Sequence, residues 1–164
     1  MQPNITKIAN AILYMLDNKV SNLNDKKLSI LLFLIDFNHI EKSGNKIFDE
    51  LYIKNNRNPE PKTMSNLFDI IANNDDLEEE DDRLYLIQEL LDHLDIEVLK
   101  KSNYIELKFI KMEEEFDKSL FLEEELTTIK DITEQYKNET ARKIANRCFS
   151  IDKVRETLNS EVII

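Results

Sequence analysis

The sequence predicts a mainly α-helical fold with a small β element: a compact helical domain around one central buried hydrophobic helix, carrying a short two-stranded β-hairpin or sheet. Three observations predict it. Apolar residues recur at three- and four-residue spacing in several separate stretches of the chain. One of these stretches, Leu28 to Ile40, is apolar on almost every side, which suits a helix enclosed by others. Only two short segments, 46–54 and 104–110, alternate apolar and polar residues as half-buried strands do.

Taken in order, Ile5, Ile8, Ala9, Ile12, Leu13 and Leu16 follow the capping residue Asn4 and describe an amphipathic helix ending near Asn18. Asn24 and Asp25 open a second helix that runs through Lys42. Its apolar side chains, each worth roughly 1.5–3 kcal/mol when buried, make it the segment that dominates stability. Gly44 stands where a helix takes its left-handed terminator. Ile47, Leu51 and Ile53 then alternate among polar residues from Lys46 to Lys54, predicting a short strand. The stretch Asn55-Asn56-Arg57-Asn58-Pro59-Glu60-Pro61 reads as a loop, because its prolines lack a donor and bias their predecessors to extended conformations. A helix follows from Pro61 or Lys62 to Ala72.

Residues 75–82 hold seven acids in eight positions, a run that repels itself and predicts a solvated loop or helix start. Leu84, Leu86, Ile87, Leu90, Leu91 and Leu94 form another helical stripe, and the alternation of 104–110 predicts a strand able to pair with 46–54. Leu122, Leu126, Ile129, Ile132 and Tyr136 mark the next helix. Asn138 is placed to cap one carrying Ala141, Ile144, Ala145 and Cys148, and a short helix from Asp152 closes the chain.

A chain of 164 residues suits one domain, here 1–164 with a core over roughly 5–150. Its formal charge of -11 repels nucleic-acid backbones and anionic membranes and attracts a basic partner. That charge is uneven, since residues 137–155 hold six bases against two acids. No stretch is apolar enough to span a membrane and the start, Met1-Gln2-Pro3-Asn4, lacks a signal core, so a cytoplasmic location is expected. The lone cysteine, Cys148, forms no internal disulfide and seeds no zinc cluster. The single glycine excludes the glycine-rich loops that cradle phosphates.

No catalytic constellation, metal site or cofactor is predicted. His39 and His93 share no ligand spacing. Asp36 and His39 lie three apart on the central helix, where a carboxylate could orient a general base. A structural pair is the stronger reading, because a carboxylate on an apolar helix must find a donor, and an imidazole or a loop amide supplies one without chemistry. Cys148, among Ala141, Ile144 and Ala145, reads as a small core side chain. The acid run lacks the turn glycine and ligand spacing of a calcium loop.

The order Lys7-Ile8-Ala9-Asn10-Ala11-Ile12-Leu13, then Lys27-Leu28 through His39-Ile40, then Gly44, resembles the Panacea domain, also called SocA-like. That family opens with an alanine-asparagine helix, continues with a lysine-leucine helix ending in histidine and glycine, and crosses an extended segment to a glycine-proline-valine-proline turn. Here Ile47 to Ile53 matches the extended segment, Asn58-Pro59-Glu60-Pro61 stands in place of the turn, and Leu122–Leu126 and Tyr136–Ala141 resemble the closing helices. The family's closing serine-histidine is replaced near Arg147-Cys148, so no role tied to that histidine carries over.

The resemblance implies an antitoxin that neutralises a cognate protein toxin by direct binding, and not an enzyme. Its alternative is an adaptor that delivers the toxin to a protease. A regulator binding nucleic acid through 137–155 ranks lower. The acidity suits a basic toxin. Loops on a rigid scaffold commonly supply contacts, which points to Tyr52, Arg57 and Asn58 and to the acid run Asp75, Asp76, Glu78, Glu79, Glu80, Asp81 and Asp82 as the toxin-facing residues.

Overall fold

Asn4 opens the first helix as expected. In the computed structural model, which describes residues 2–164, its side chain accepts from the Lys7 amide at 3.0 Å, and helix α1 covers Ile5–Asp17. Asn24 repeats the device at the Lys27 amide, at 2.8 Å, and α2 covers Asp25–Ser43. The two differ in how they bury themselves. α1 hides Ile5, Ile8, Ala9, Ile12 and Leu13 along one side, whereas α2 buries Leu28, Ile30, Leu31, Leu32, Phe33, Leu34 and Ile35 all round. Helices α3 (Lys62–Asn73), α4 (Asp82–His93), α5 (Glu123–Tyr136), α6 (Ala141–Phe149) and α7 (Asp152–Glu156) complete the set among the described residues. Helix accounts for 53% of the chain, which places it in the mainly α class. None of these helices is long and apolar enough to cross a membrane.

Among the described residues four strands form two antiparallel hairpins, β1 (Tyr52–Asn55) with β2 (Asn58–Pro61) and β3 (Leu94–Lys100) with β4 (Ile105–Lys111). Helix α2 lies against α3, α5, α6, β2 and β4, so it is central, while α1 packs on α4 and β4.

The strands depart from the sequence expectation in four ways. Residues 46–51 are irregular, because the Ile47 and Phe48 amides turn inward to the Asp36 carboxylate and leave no ladder to join. The proline stretch read as a loop contains β2, in register Tyr52↔Pro61 and Lys54↔Pro59. Proline is tolerated there because Tyr52 and Lys54 direct their amides the other way, to Ile164 and Glu161 carbonyls at 3.0 and 2.9 Å, so neither Pro61 nor Pro59 faces an acceptor that needs a donor. The segment 94–100, whose first leucine fits the stripe of α4, is a strand beginning directly after His93. It pairs with 105–111, so the two strands predicted to pair with each other belong to different hairpins. At the next cap Thr140, not Asn138, accepts from the Lys143 amide, at 3.2 Å.

Gly44 ends α2 with φ +81°, its amide donating to the Ile40 carbonyl at 2.8 Å. A Cβ there would meet nothing within 4 Å, so the cost of a side chain is purely one of backbone conformation. Gly44→Ala is expected to lose about 1 kcal/mol, a Tm lower by roughly 2–4 °C in calorimetry, and Gly44→Asn less. An unchanged Tm for the alanine variant would contradict this account.

Candidate functional site

Asp36 and His39, the polar residues that invited a chemical reading, are buried and engaged. Asp36 is fully buried and accepts three hydrogen bonds: the Ile47 amide at 2.7 Å and the Phe48 amide at 3.2 Å on Oδ1, and the Tyr52 hydroxyl at 2.7 Å on Oδ2. Burial raises its pKa to about 6 although all three donors pull it down. His39, 2% exposed, turns its Nδ1 to Thr128 Oγ1 of α5 at 3.0 Å, so the imidazole serves another helix and loop amides serve the carboxylate. A general base needs access to a substrate, and this imidazole has none. Cys148 is also fully buried, and burial pushes its thiol up to about 12, far from a thiolate nucleophile. His93 pairs with Glu114 at 2.8 Å, and no group of three His, Cys, Asp or Glu side chains gathers as metal ligands among the described residues.

Other polar residues hold elements together in the same manner. Asn10 accepts from the Asp117 amide at 2.9 Å and donates to the Thr6 carbonyl. Lys27, 1% exposed, donates to the Ser21 and Lys137 carbonyls at 2.7 and 3.0 Å, the latter at the C-terminus of α5, where a cation complements the helix dipole. Glu50 accepts from the Leu51, Thr63 and Met64 amides at 2.8, 3.3 and 2.9 Å. It thereby caps α3, whose own N-cap, Pro61, contributes no side-chain bond.

What remains open to solvent is a groove. A cavity of about 530 Å³ lies between α2, the β1–β2 turn, α3 and α6, with Ile30, Phe68 and Ala145 among its apolar lining and Asp25, Lys26, Arg57, Asn58, Asp69 and Arg142 among its polar lining. A second hollow of about 550 Å³ shares Asp25, Phe68 and Asp69 with it and extends to Lys100, Lys101 and Tyr104 at the tip of the β3–β4 hairpin. Asp69 sits among carboxylates. Burial raises its pKa first, then the charges of Glu60, Asp25 and Asp75.

Of the residues expected at an interface, Arg57 and Asn58 are exposed on the groove wall, with the Arg57 guanidinium 4.2 Å from the centre of the Phe149 ring. Asp75, Asp76, Glu78, Glu79 and Glu80 are exposed in the loop before α4, and Asp75 reaches toward the groove through its charge on Asp69. Asp81 is committed to α4, accepting from the Arg83 amide and side chain, and Asp82 is exposed in the first turn. Tyr52 is a correction: it is 0% exposed, edge-on to Phe33 and bonded to Asp36, so it belongs to the core and not to a contact surface. The sequence reading missed Asp25, Lys26, Asp69 and Arg142 as neighbours, because they come from three helices far apart in the chain and no local pattern joins them.

Two outcomes follow from the buried groups. A carboxyl whose folded pKa lies above its unfolded value of 3.8 stabilises the fold below that value and loses the contribution as pH rises through about 6. The wild type should therefore lose on the order of 2–3 kcal/mol relative to Asp36→Asn between pH 4 and 7. Urea midpoints of the two proteins measure it, and a difference that stays constant with pH would refute it. Cys148 should resist a thiol reagent in the native protein and react at once in denaturant; rapid native labelling would show that the thiol is accessible.

The family model described as antitoxin SocA-like, Panacea domain, matches residues 28–150, from α2 to the end of α6. Comparison with curated proteins and with solved structures gives no match. The match covers most of the chain, and the chain belongs to this family.

Proposed function

From its membership of the SocA-like antitoxin family, we propose that the chain is an antitoxin that neutralises a cognate protein toxin by covering it directly, acting in the cytoplasm as one domain. The family match carries the reading. Three further observations support it. Of the residues best suited to chemistry, Asp36 and His39 are buried and occupied by structural partners, and Cys148 is buried. The net charge of -11 favours encounter with a basic surface. A groove with an apolar floor and charged walls, beside a solvated acid run, offers a surface of the kind that holds a protein segment.

In the basic stretch 137–155 three of the six bases are already paired, Lys137 with Glu134, Arg147 with Glu139 and Arg155 with Asp152, which weakens it as a phosphate surface. Blocking and delivery to a protease differ in the fate of the toxin, which persists in the first case and disappears in the second.

The product of the neighbouring gene should arrest growth when expressed alone, be harmless beside this chain, and copurify with it. Continued arrest on co-expression would overturn the antitoxin reading, and loss of the toxin protein in place of copurification would favour the adaptor. The side chains of Glu78, Glu79 and Glu80 have no hydrogen-bond or ion-pair partner among the described residues, so reversing them to lysine should leave the Tm unchanged. It should slow association with the toxin by about tenfold at low salt. An unaltered association rate would show that the acid run does not face the toxin.

A further inference from the structure

Strand edges are where a protein can pair with another chain, and here three of the four are closed. The outer edge of β1 takes residues 160–164, with Tyr52 and Lys54 each exchanging backbone hydrogen bonds with that segment. The outer edge of β2 presents Pro59 and Pro61, which have no N–H to offer. The outer edge of β4 is met by Asn24 and Asp25 of the α2 start. Among the described residues β3 pairs with β4 alone.

The backbone of β3 can be oriented residue by residue. Leu107 lies opposite Val98, yet its amide donates to Asp25 Oδ1 at 3.0 Å, away from β3. That pair is therefore of the non-hydrogen-bonded kind, in which both residues turn their N–H and C=O away from each other. The Lys101 amide donating to the Tyr104 carbonyl at 2.9 Å sets the same alternation from the turn end. Ile96 and Val98 consequently direct their backbone groups outward; the Ile96 amide donates to its neighbour Asp95 Oδ1 at 2.8 Å, and no backbone bond from another segment meets either residue among the described residues.

Side chains along this edge define what could lie there. Val98 is 36% exposed and Ile96 half-buried on one face. Asp95 and Glu97 are exposed on the other, and neither is in an ion pair among the described residues. We infer that the outer edge of β3 is a strand-docking site for an extended segment of a basic protein, one that alternates basic residues, opposite Asp95 and Glu97, with apolar residues opposite Ile96 and Val98. The identity of that protein as the toxin rests on the antitoxin reading above; the edge itself does not. A second copy of this chain is a poor occupant, because each copy carries -11 and would bring further carboxylates to the edge.

Val98→Pro tests the site. Its missing N–H is one that β4 does not use, so the hairpin should survive while the docking edge loses a donor and gains a ring. Toxin binding is expected to weaken at least about tenfold with an unchanged urea midpoint, and Glu97→Lys, which leaves the backbone alone, to weaken it severalfold. Amide exchange should be fast at Val98 in the free protein and slowed in the complex. Wild-type affinity in both variants would overturn the docking site while leaving the antitoxin reading intact. If the wild type does not bind the neighbouring product, that reading fails, and an end-capped peptide of alternating lysine and valine decides the edge. Slowed exchange at Val98 in the wild type, together with loss of peptide binding in Val98→Pro, supports it; an amide that does not respond overturns it. Dimerisation of the wild type that Val98→Pro abolishes would also overturn it, by making a second copy the occupant.

Discussion

The Asp36 carboxylate is the constraint on which the rest of the arrangement depends. It sits fully buried on the central helix and draws two consecutive amides, from Ile47 and Phe48, and the Tyr52 hydroxyl onto its two oxygens. A buried carboxylate without donors would cost several kcal/mol, so the segment after Gly44 must fold inward to supply them. Two consequences follow along the chain. Phe48, once held, accepts from the Asn4 amide at 2.8 Å and so ties the start of α1 to the centre. Tyr52, once held, fixes where β1 begins, and β1 in turn sets the register of β2 on one side and of residues 160–164 on the other.

The same logic recurs at the helix ends. Every helix leaves unpaired N–H groups at its start and carbonyls at its finish, and where these are buried something else must meet them. Glu50 meets the amides of α3, which begins at a proline. Lys27 meets the Lys137 carbonyl where α5 ends, and Lys54 meets the Arg155 and Thr157 carbonyls at 3.0 and 2.8 Å where α7 ends. Desolvation lowers the pKa of Lys27, yet its carbonyl partners keep the ammonium useful as a donor. Charged residues inside this core thus act as connectors between elements distant in sequence. Of the residues that mark the family resemblance, Asn10, Lys27, Asp36 and His39 join elements in this way, while Gly44 ends its own helix.

This division explains what could be read from the sequence. Helix positions were legible because amphipathic periodicity and caps such as Asn4, Asn24 and Gly44 are local. Strands were not, because alternation does not name a partner. The alternating stretch 46–54 lost its first half to Asp36, and 94–100 became a strand only because 105–111 returns beside it. Tyr52 looked exposed among Glu50, Lys54 and Asn55, and its burial depends on a carboxylate sixteen residues earlier on another element. Arg57, Asn58 and the acid run were found at the surface because polarity is a local signal. The groove they adjoin was invisible, being assembled by the packing of α2, α3 and α6 around the β1–β2 hairpin.

Function in such a molecule lies in the polar groups that folding leaves uncommitted. Inside, carboxylates and amines are each assigned to an amide or carbonyl, and substituting them would report on stability. Outside, the side chains of Glu78 to Glu80 and Glu97 and the outward backbone of Val98 have no partner among the described residues, while Asp95 is engaged only by the neighbouring Ile96 amide. Charge on its own would attract any basic surface weakly, and an open strand edge on its own would invite indiscriminate pairing. Combined, they are selective. The acids reject acidic strands and copies of the same chain, while the backbone ladder requires an extended partner in register. An antitoxin of the kind proposed would have to hold one protein tightly in the presence of many others, and a surface that demands charge, extension and register together would meet that requirement.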